Sequence, residues 1–141
     1  MSGTEIKPLL NHQLILESKI EAINKVEGLI ESLKGDLSIK EDVYANIMVA
    51  VTEAVNNSIQ HGNEGDTNKK VTVDLEVLNP YRMLVRVKDE GKGFDPNSLP
   101  DPTAPENIEN IGGRGVFLMT HLSDSIEFDD DGRQVEMTFN I

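Results

Sequence analysis

Three clusters in the chain hold groups suited to chemistry. The first is Glu53-Ala54-Val55-Asn56-Asn57-Ser58, inside a stretch with helical periodicity. At about 100° per residue, Val43, Ile47, Ala50, Val51, Ala54 and Ser58 share one apolar face. Asn57 falls on the border of that face, Glu53 lies one turn back and just beyond it, and Asn56 points well away. An amide oxygen is a hard ligand suited to Mg²⁺, and a carboxylate one turn from it can orient or deprotonate a hydroxyl. The same pair also reads as a solvated helix flank. The second cluster is Asp89-Glu90-Gly91-Lys92-Gly93-Phe94. Strand alternation puts Asp89 on the side of Met83, Val85 and Val87, where an isolated carboxylate is costly without a partner. An exocyclic amine such as that of adenine is a suitable donor, and the two glycines let backbone approach a flat ring. A glycine-rich turn with Asp89 bonded to nearby amides fits the same residues. The third is Gly112-Gly113-Arg114-Gly115-Val116-Phe117-Leu118-Met119. Glycines just ahead of a helix expose its first N–H groups, and the positive end of the helix dipole favours phosphate. A plain loop leading into a buried helix is the other reading. The segment lacks the lysine of a P-loop and is not a G-x-G-x-x-G following a strand.

These clusters need a scaffold, and the patterning supplies one. The stretch His12 to Glu17 predicts a first strand, and Lys19 to Leu33 an amphipathic helix ended by Gly35-Asp36. Ser38 followed by Glu41 has the form of a capping box opening a second helix, which runs to about Gln60. Val71, Val73, Leu75 and Val77 alternate with polar residues, Asn79-Pro80 turns, and Met83, Val85 and Val87 alternate again, so residues 71–89 predict a hairpin. From Phe94 to Ile111, four prolines lie among polar residues in a long loop. Gly115 to Leu122 predicts a short helix. Ser125 to Phe128, a turn at Asp131-Gly132 and Gln134 to Ile141 predict a closing hairpin. Helices first and mostly strands after predict an α+β fold: a two-layer sandwich, a mainly antiparallel mixed sheet with helices on one face.

The chain has 141 residues, which fits one domain spanning 1–141. Acidic residues outnumber Lys and Arg by 25 to 13, for a formal charge of −12. That balance excludes a phosphate-backbone binder, so no direct nucleic-acid partner is expected. A nucleotide is not excluded, because backbone N–H groups and Mg²⁺ can meet its phosphates. With no cysteine there is no disulfide framework and no thiolate nucleophile. The longest apolar run, Ile47 to Val51, is too short to cross a bilayer, and the N-terminus lacks a secretory core, so a cytoplasmic protein without a membrane partner is expected. His12, His61 and His121 have no second histidine at ligand spacing, which argues against zinc.

Singly ambiguous, the three clusters are specific in their order and spacing. The chain resembles the ATPase superfamily shared by gyrase, histidine kinases and certain chaperones, and within it is most similar to the bacterial anti-sigma-factor serine/threonine kinases. Glu53 to Gly62 (EAVNNSIQHG) resembles the N box of that family, Asp89 to Phe94 its first glycine box, and Gly113 to Met119 (GRGVFLM) its second. The resemblance covers about Ser38 to the C-terminus and implies a histidine-kinase-like ATPase, or Bergerat, fold. It implies that Asn57 ligates Mg²⁺, that Glu53 acts as base or orienter, and that Asp89 accepts from the adenine amine with Gly91 and Gly93 beside the ring. Gly113 and Gly115 would give backbone contacts to the phosphates of ATP under a lid formed by residues 94–111. Arg114 would approach the terminal phosphate or the partner. One departure is Asn56, where related sequences often carry Thr or Ser. The implied partners are a small anti-anti-sigma antagonist protein as phosphate acceptor, a sigma factor, and a second copy of the chain. The rival reading is a binding module that holds nucleotide as a switch and never transfers phosphate.

Overall fold

The computed structural model describes residues 10–79, 82–92 and 111–141, with backbone alone at Asn79, residues 111–114 and Asp131. The chain runs β1 (Leu10–Glu17), a 3₁₀ turn (Ile20–Ala22), α1 (Ile23–Asp36), α2 (Glu41–Asn57) and a π-helical turn (Ser58–Gly62). It continues through β2 (Lys70–Asn79), β3 (Arg82–Lys88), α3 (Ile111–Leu122), β4 (Ser125–Asp129), a 3₁₀ turn (Asp130–Gly132) and β5 (Gln134–Asn140). The five strands form one sheet in the order β1-β2-β3-β5-β4. The sheet was expected to be mixed. Every pairing among the described residues is antiparallel, with Leu14 opposite Val73, Val73 opposite Val87, Val85 opposite Met137 and Phe128 opposite Val135.

That register puts the alternating apolar residues in rows. Leu16, Val71, Val73, Leu75, Val77, Met83, Val85, Val87, Met137 and Phe139 are buried on one face, beneath Val26, Ile30, Leu33, Ile47, Ala50, Val51 and Ala54 of the helices. The opposite face carries charge. There Arg86 Nε donates to Glu136 at 2.8 Å and its Nη1 to Glu76 at 3.2 Å, one cation tying three strands. Helix α2 packs against both α1 and α3, so residues along its two flanks meet different neighbours.

The corner between α1 and α2 is built differently from the expected capping box. Ser38 has φ 52°, and the residue preceding α2 is Lys40, extended and without a side-chain cap. Ile39 N–H reaches back to the Lys34 carbonyl at 3.0 Å and Ser38 N–H to that of Gly35 at 3.4 Å, the Schellman pattern that closes a helix C-terminus. Burial of Ile39 decides the outcome, because the chain must turn it into the core before α2 can start. Glu41, expected to reach back to Ser38, instead pairs with Lys34, whose ammonium lies 4.5 Å from the centre of the Tyr44 ring. Ser38 thus occupies the left-handed position usually taken by glycine, which costs an L-residue about 1–2 kcal/mol. Ser38→Gly is expected to stabilise the fold by about 1 kcal/mol in urea denaturation. A lowered midpoint would restore Ser38 as a helix cap.

Candidate active site

Asn57 is the last α-helical residue of α2, and the chain then widens into the π turn. Asn63 N–H bonds the Ser58 carbonyl at 2.8 Å, five residues back, and Gly65 N–H bonds that of Ile59 at 2.8 Å. The sequence predicted an ordinary helix ending near Gln60. Wide turns of this kind recur at functional sites because they re-aim side chains. Here Ser58, His61 and Gly62 join Ala54 and Asn57 in one wall of a cavity of about 250 Å³. Val87 and Asp89 at the end of β3, Val116 and Met119 of α3, and Phe128, Gly132 and Arg133 of the last hairpin complete it. The lining is largely apolar with a few polar groups, the usual make-up of a small-molecule site.

Asp89 is 6% exposed, on the inward side expected from strand alternation. Its N–H donates to the Arg133 carbonyl at 2.9 Å, and its Oδ1 accepts from Gly91 N–H at 2.8 Å. Burial pushes its carboxyl above the ordinary aspartate value, while the Gly91 N–H, the Ser58 hydroxyl and the nearby Arg133 guanidinium pull it back. Asp89 therefore bonds a local amide and still lines the cavity. A Cβ on Gly62 would overlap the Asp89 carboxylate, and one on Gly91 would overlap the Gly62 carbonyl. Gly91 packs on the end of the π turn and is not in the cavity wall, whereas Gly93 lies outside the described residues. Gly91→Ala must push backbone against backbone and is expected to destabilise the protein by about 1–3 kcal/mol in chemical denaturation. An unchanged midpoint would mean the two segments are free to part.

Next to Ser58 and Gly62, which adjoin the Asp89 carboxylate, stands Asn57. Its Oδ1 is buried and has no hydrogen-bond partner among the described residues. A lone buried acceptor costs about 1–3 kcal/mol and calls for an explanation, of which an absent ion or water is the simplest. Its Nδ2 lies where a Cβ on Gly115 would be, so glycine at 115 is required by the close approach of α3 to α2. Gly115→Ala is expected to displace the Asn57 amide and lower Mg·ATP affinity about tenfold by calorimetry. Unaltered affinity would show that Asn57 does not hold the metal-nucleotide. Glu53, one turn back, is half-buried, its carboxylate pairs with none of the described residues, and it lies outside the cavity wall. Asn56 is half-buried and also outside it.

Helix α3 begins at Ile111, four residues before the expected start at Gly115. The glycine content that argued for a loop is outweighed, and Gly112, Gly113 and Gly115 lie within the helix. By the i→i−4 pattern the fourth helical N–H is already bonded, as that of Tyr44 is in α2, so among the described residues the free N–H groups of α3 belong to residues 111–113; Gly113 is the last of them, and Arg114 and Gly115 fall past. The expected lid overlaps residues 94–110, which lie outside the described residues. His12 is exposed on β1, and His121 stacks on Phe117 with ring centres 4.1 Å apart; neither lines the cavity.

The family model for the histidine kinase-like ATPase domain matches residues 16–139 of the chain. The chain belongs to that family. Among curated histidine kinase-like ATPases it is 30% identical over 139 residues to the serine-protein kinase RsbW of Bacillus subtilis, covering 91% of this chain and 86% of that protein. It is 26% identical over 132 residues to the serine-protein kinase RsbW of Listeria innocua, covering 89% and 83%. A crystal structure of the RsbU and RsbW domains of a Mycobacterium tuberculosis protein superposes with a TM-score of 0.64 at 15% identity, over 94% of this chain and 32% of that one. At that identity the superposition speaks for the fold alone, the α+β sandwich expected from the sequence.

Three residues in or beside the cavity gave no sequence signal. Ser58 reads as part of the buried stripe, and only the register of α2 against β3 brings it to Asp89. Arg133 reads as a turn residue, yet its Nε donates to the Gly91 carbonyl at 2.8 Å because β5 pairs with β3. Asn63 reads as loop and is fully buried.

Proposed function

We propose that this chain is a single ATP-binding domain that transfers the terminal phosphate of Mg·ATP to a serine or threonine of a partner protein. The observation that carries this reading is the orphaned, buried Oδ1 of Asn57 at the edge of a cavity that Asp89 also lines. A hard, desolvated amide oxygen suits Mg²⁺, which is held by few protein ligands and several phosphate oxygens. No cluster of three acidic, histidine or cysteine side chains offers a different metal site among the described residues. Bound magnesium would supply charge neutralisation at the phosphates. Asp89 accepts from the adenine amine, and the apolar walls contributed by Val87, Val116 and Met119 hold the ring. The free N–H groups at the start of α3 meet the phosphates, and Arg114 supplies a cation for the terminal phosphate or the partner. Glu53 receives the proton of the acceptor hydroxyl, from a position outside the cavity where a protein substrate can reach it.

The acceptor is a small antagonist protein of the anti-anti-sigma kind and a second partner is a sigma factor, in a cytoplasmic setting. Names of the relatives support the kinase, and among the described residues no helix is long and apolar enough to cross a membrane. The position of Glu53 outside the cavity also suits a second reading, a nucleotide switch that never transfers phosphate. Incubation with γ-labelled ATP, Mg²⁺ and the products of neighbouring genes separates the two. Label in one small protein is expected; label in none, with ATP bound, would favour the switch.

A further inference from the structure

Asn63 is fully buried, and its side chain makes three hydrogen bonds, each to a different segment of the chain. Its Nδ2 donates to Ser18 Oγ at 2.9 Å, just past β1, and to the Lys70 carbonyl at 3.0 Å, at the start of β2. Its Oδ1 accepts from Glu90 N–H at 2.8 Å. Ser18 Oγ in turn donates to the Lys69 carbonyl at 2.5 Å, and Lys70 N–H donates to Glu90 Oε2 at 2.8 Å. Both amide hydrogens meet oxygens and the amide oxygen meets an N–H, so the orientation is fixed and only an amide satisfies it. A carboxylate of the same shape would face the Lys70 carbonyl with no hydrogen to offer.

The Glu90 N–H belongs to the peptide bond that follows Asp89. All three N–H groups of residues 89–91 are thereby held: Asp89 by the Arg133 carbonyl, Glu90 by Asn63, and Gly91 by the Asp89 carboxylate itself. Asn63 also closes the π turn through its own N–H to Ser58. One buried amide therefore connects the helix end that carries Asn57 and Ser58 to the strand end that carries Asp89. We infer that Asn63 is a positioning residue for purine selection: it sets the peptide plane that aims the Asp89 carboxylate at the ring. This rests on the reading of Asp89 as the acceptor for the adenine amine. A residue that only supported the fold would alter stability and leave the choice between purines unchanged.

The test compares Mg·ATP with Mg·ITP, whose base carries a carbonyl in place of the amine, by titration calorimetry on the whole chain. Wild-type protein is expected to prefer ATP. In Asn63→Asp, ATP affinity is expected to fall about tenfold and ITP affinity to change little, so the preference collapses. A variant that melts earlier but keeps the wild-type ATP-to-ITP ratio would overturn the assignment and leave Asn63 a support of the fold. Wild-type protein that binds both nucleotides alike would overturn the adenine reading of Asp89, and this assignment with it. Should Asn63→Asp fail to fold, Ser18→Ala removes one anchor of the same amide. It is expected to lower the ratio about threefold, and an unmoved ratio overturns the assignment.

Discussion

Glu53→Gln is expected to bind Mg·ATP like the wild type and to lose about 10²-fold or more in phosphate transfer, the usual scale for a positioned base. Asn57→Ala, one turn along the same helix, is expected to lose both together, because it removes the buried oxygen that has no partner among the described residues. The fall in Mg·ATP affinity should be about tenfold or more, the worth of one desolvated ligand. Asn56→Ala is the internal control, since Asn56 lies outside the cavity wall and should change little beyond helix propensity. Calorimetry with Mg·ATP and a transfer assay on the labelled partner check the three variants side by side. Full transfer by Glu53→Gln would remove the carboxylate from the mechanism while leaving the fold and the nucleotide site intact.

Asp89→Asn is expected to weaken ATP binding about 10- to 100-fold and, without nucleotide, to make the protein more stable. The amide is the poorer acceptor and can present hydrogens to the adenine amine. In the empty site the charge is a burden, since burial is the largest influence on the Asp89 carboxyl and pushes it upward. The amide oxygen can still accept from Gly91 N–H and its nitrogen can donate to the Ser58 oxygen, so the cost is one neutral hydroxyl hydrogen that must turn elsewhere in place of a buried charge. The sign of the pH effect follows from linkage. A carboxyl raised in the folded state binds its proton more tightly there than in the unfolded chain, so stability falls as pH rises from the ordinary aspartate value through the raised one. The melting-temperature gap between variant and wild type should therefore be full at neutral pH and close on acidification below the ordinary aspartate range. ATP binding by the wild type should weaken over the same fall in pH, as the acceptor is protonated. A gap that does not depend on pH would assign the effect to packing rather than charge.

Much of this was legible in the sequence, for reasons that differ by element. Period-two alternation from Val71 to Val87 marks the central hairpin, because one face of that sheet is buried and the other carries Arg86 and its two glutamates. The helical stripe from Ile47 to Ala54 is equally plain, and it placed Asn57 at the border where the structure puts it in the cavity wall. Short-range signals were less dependable. Ser38 and Glu41 have capping-box spacing, but burial of Ile39 between them and the backbone bonds at the end of α1 decide that corner. Gly112 and Gly113 argued for a loop ahead of the helix, although the helix includes both, and Gly115 is needed for the approach of Asn57. What stayed hidden depends on pairing between distant segments. Asn63 meets Ser18 across 45 residues and Glu90 across 27, and nothing local in His61-Gly62-Asn63-Glu64 shows that an amide there will be buried. Arg133 reaches the first glycine box only because β5 inserts between β3 and β4.

Transfer of phosphate to a hydroxyl of another protein leaves a product with a chemistry of its own. After reaction with γ-labelled Mg·ATP and the small protein that accepts label, phosphoamino-acid analysis should find the label on serine or threonine of that protein. Such a phosphate ester survives acid, unlike the phosphoramidate of a histidine. The three histidines of this chain, His12 exposed on β1, His61 in the cavity wall and His121 stacked on Phe117, should carry none. Acid-labile label on this chain itself, or release of free phosphate with no labelled acceptor, would contradict the account.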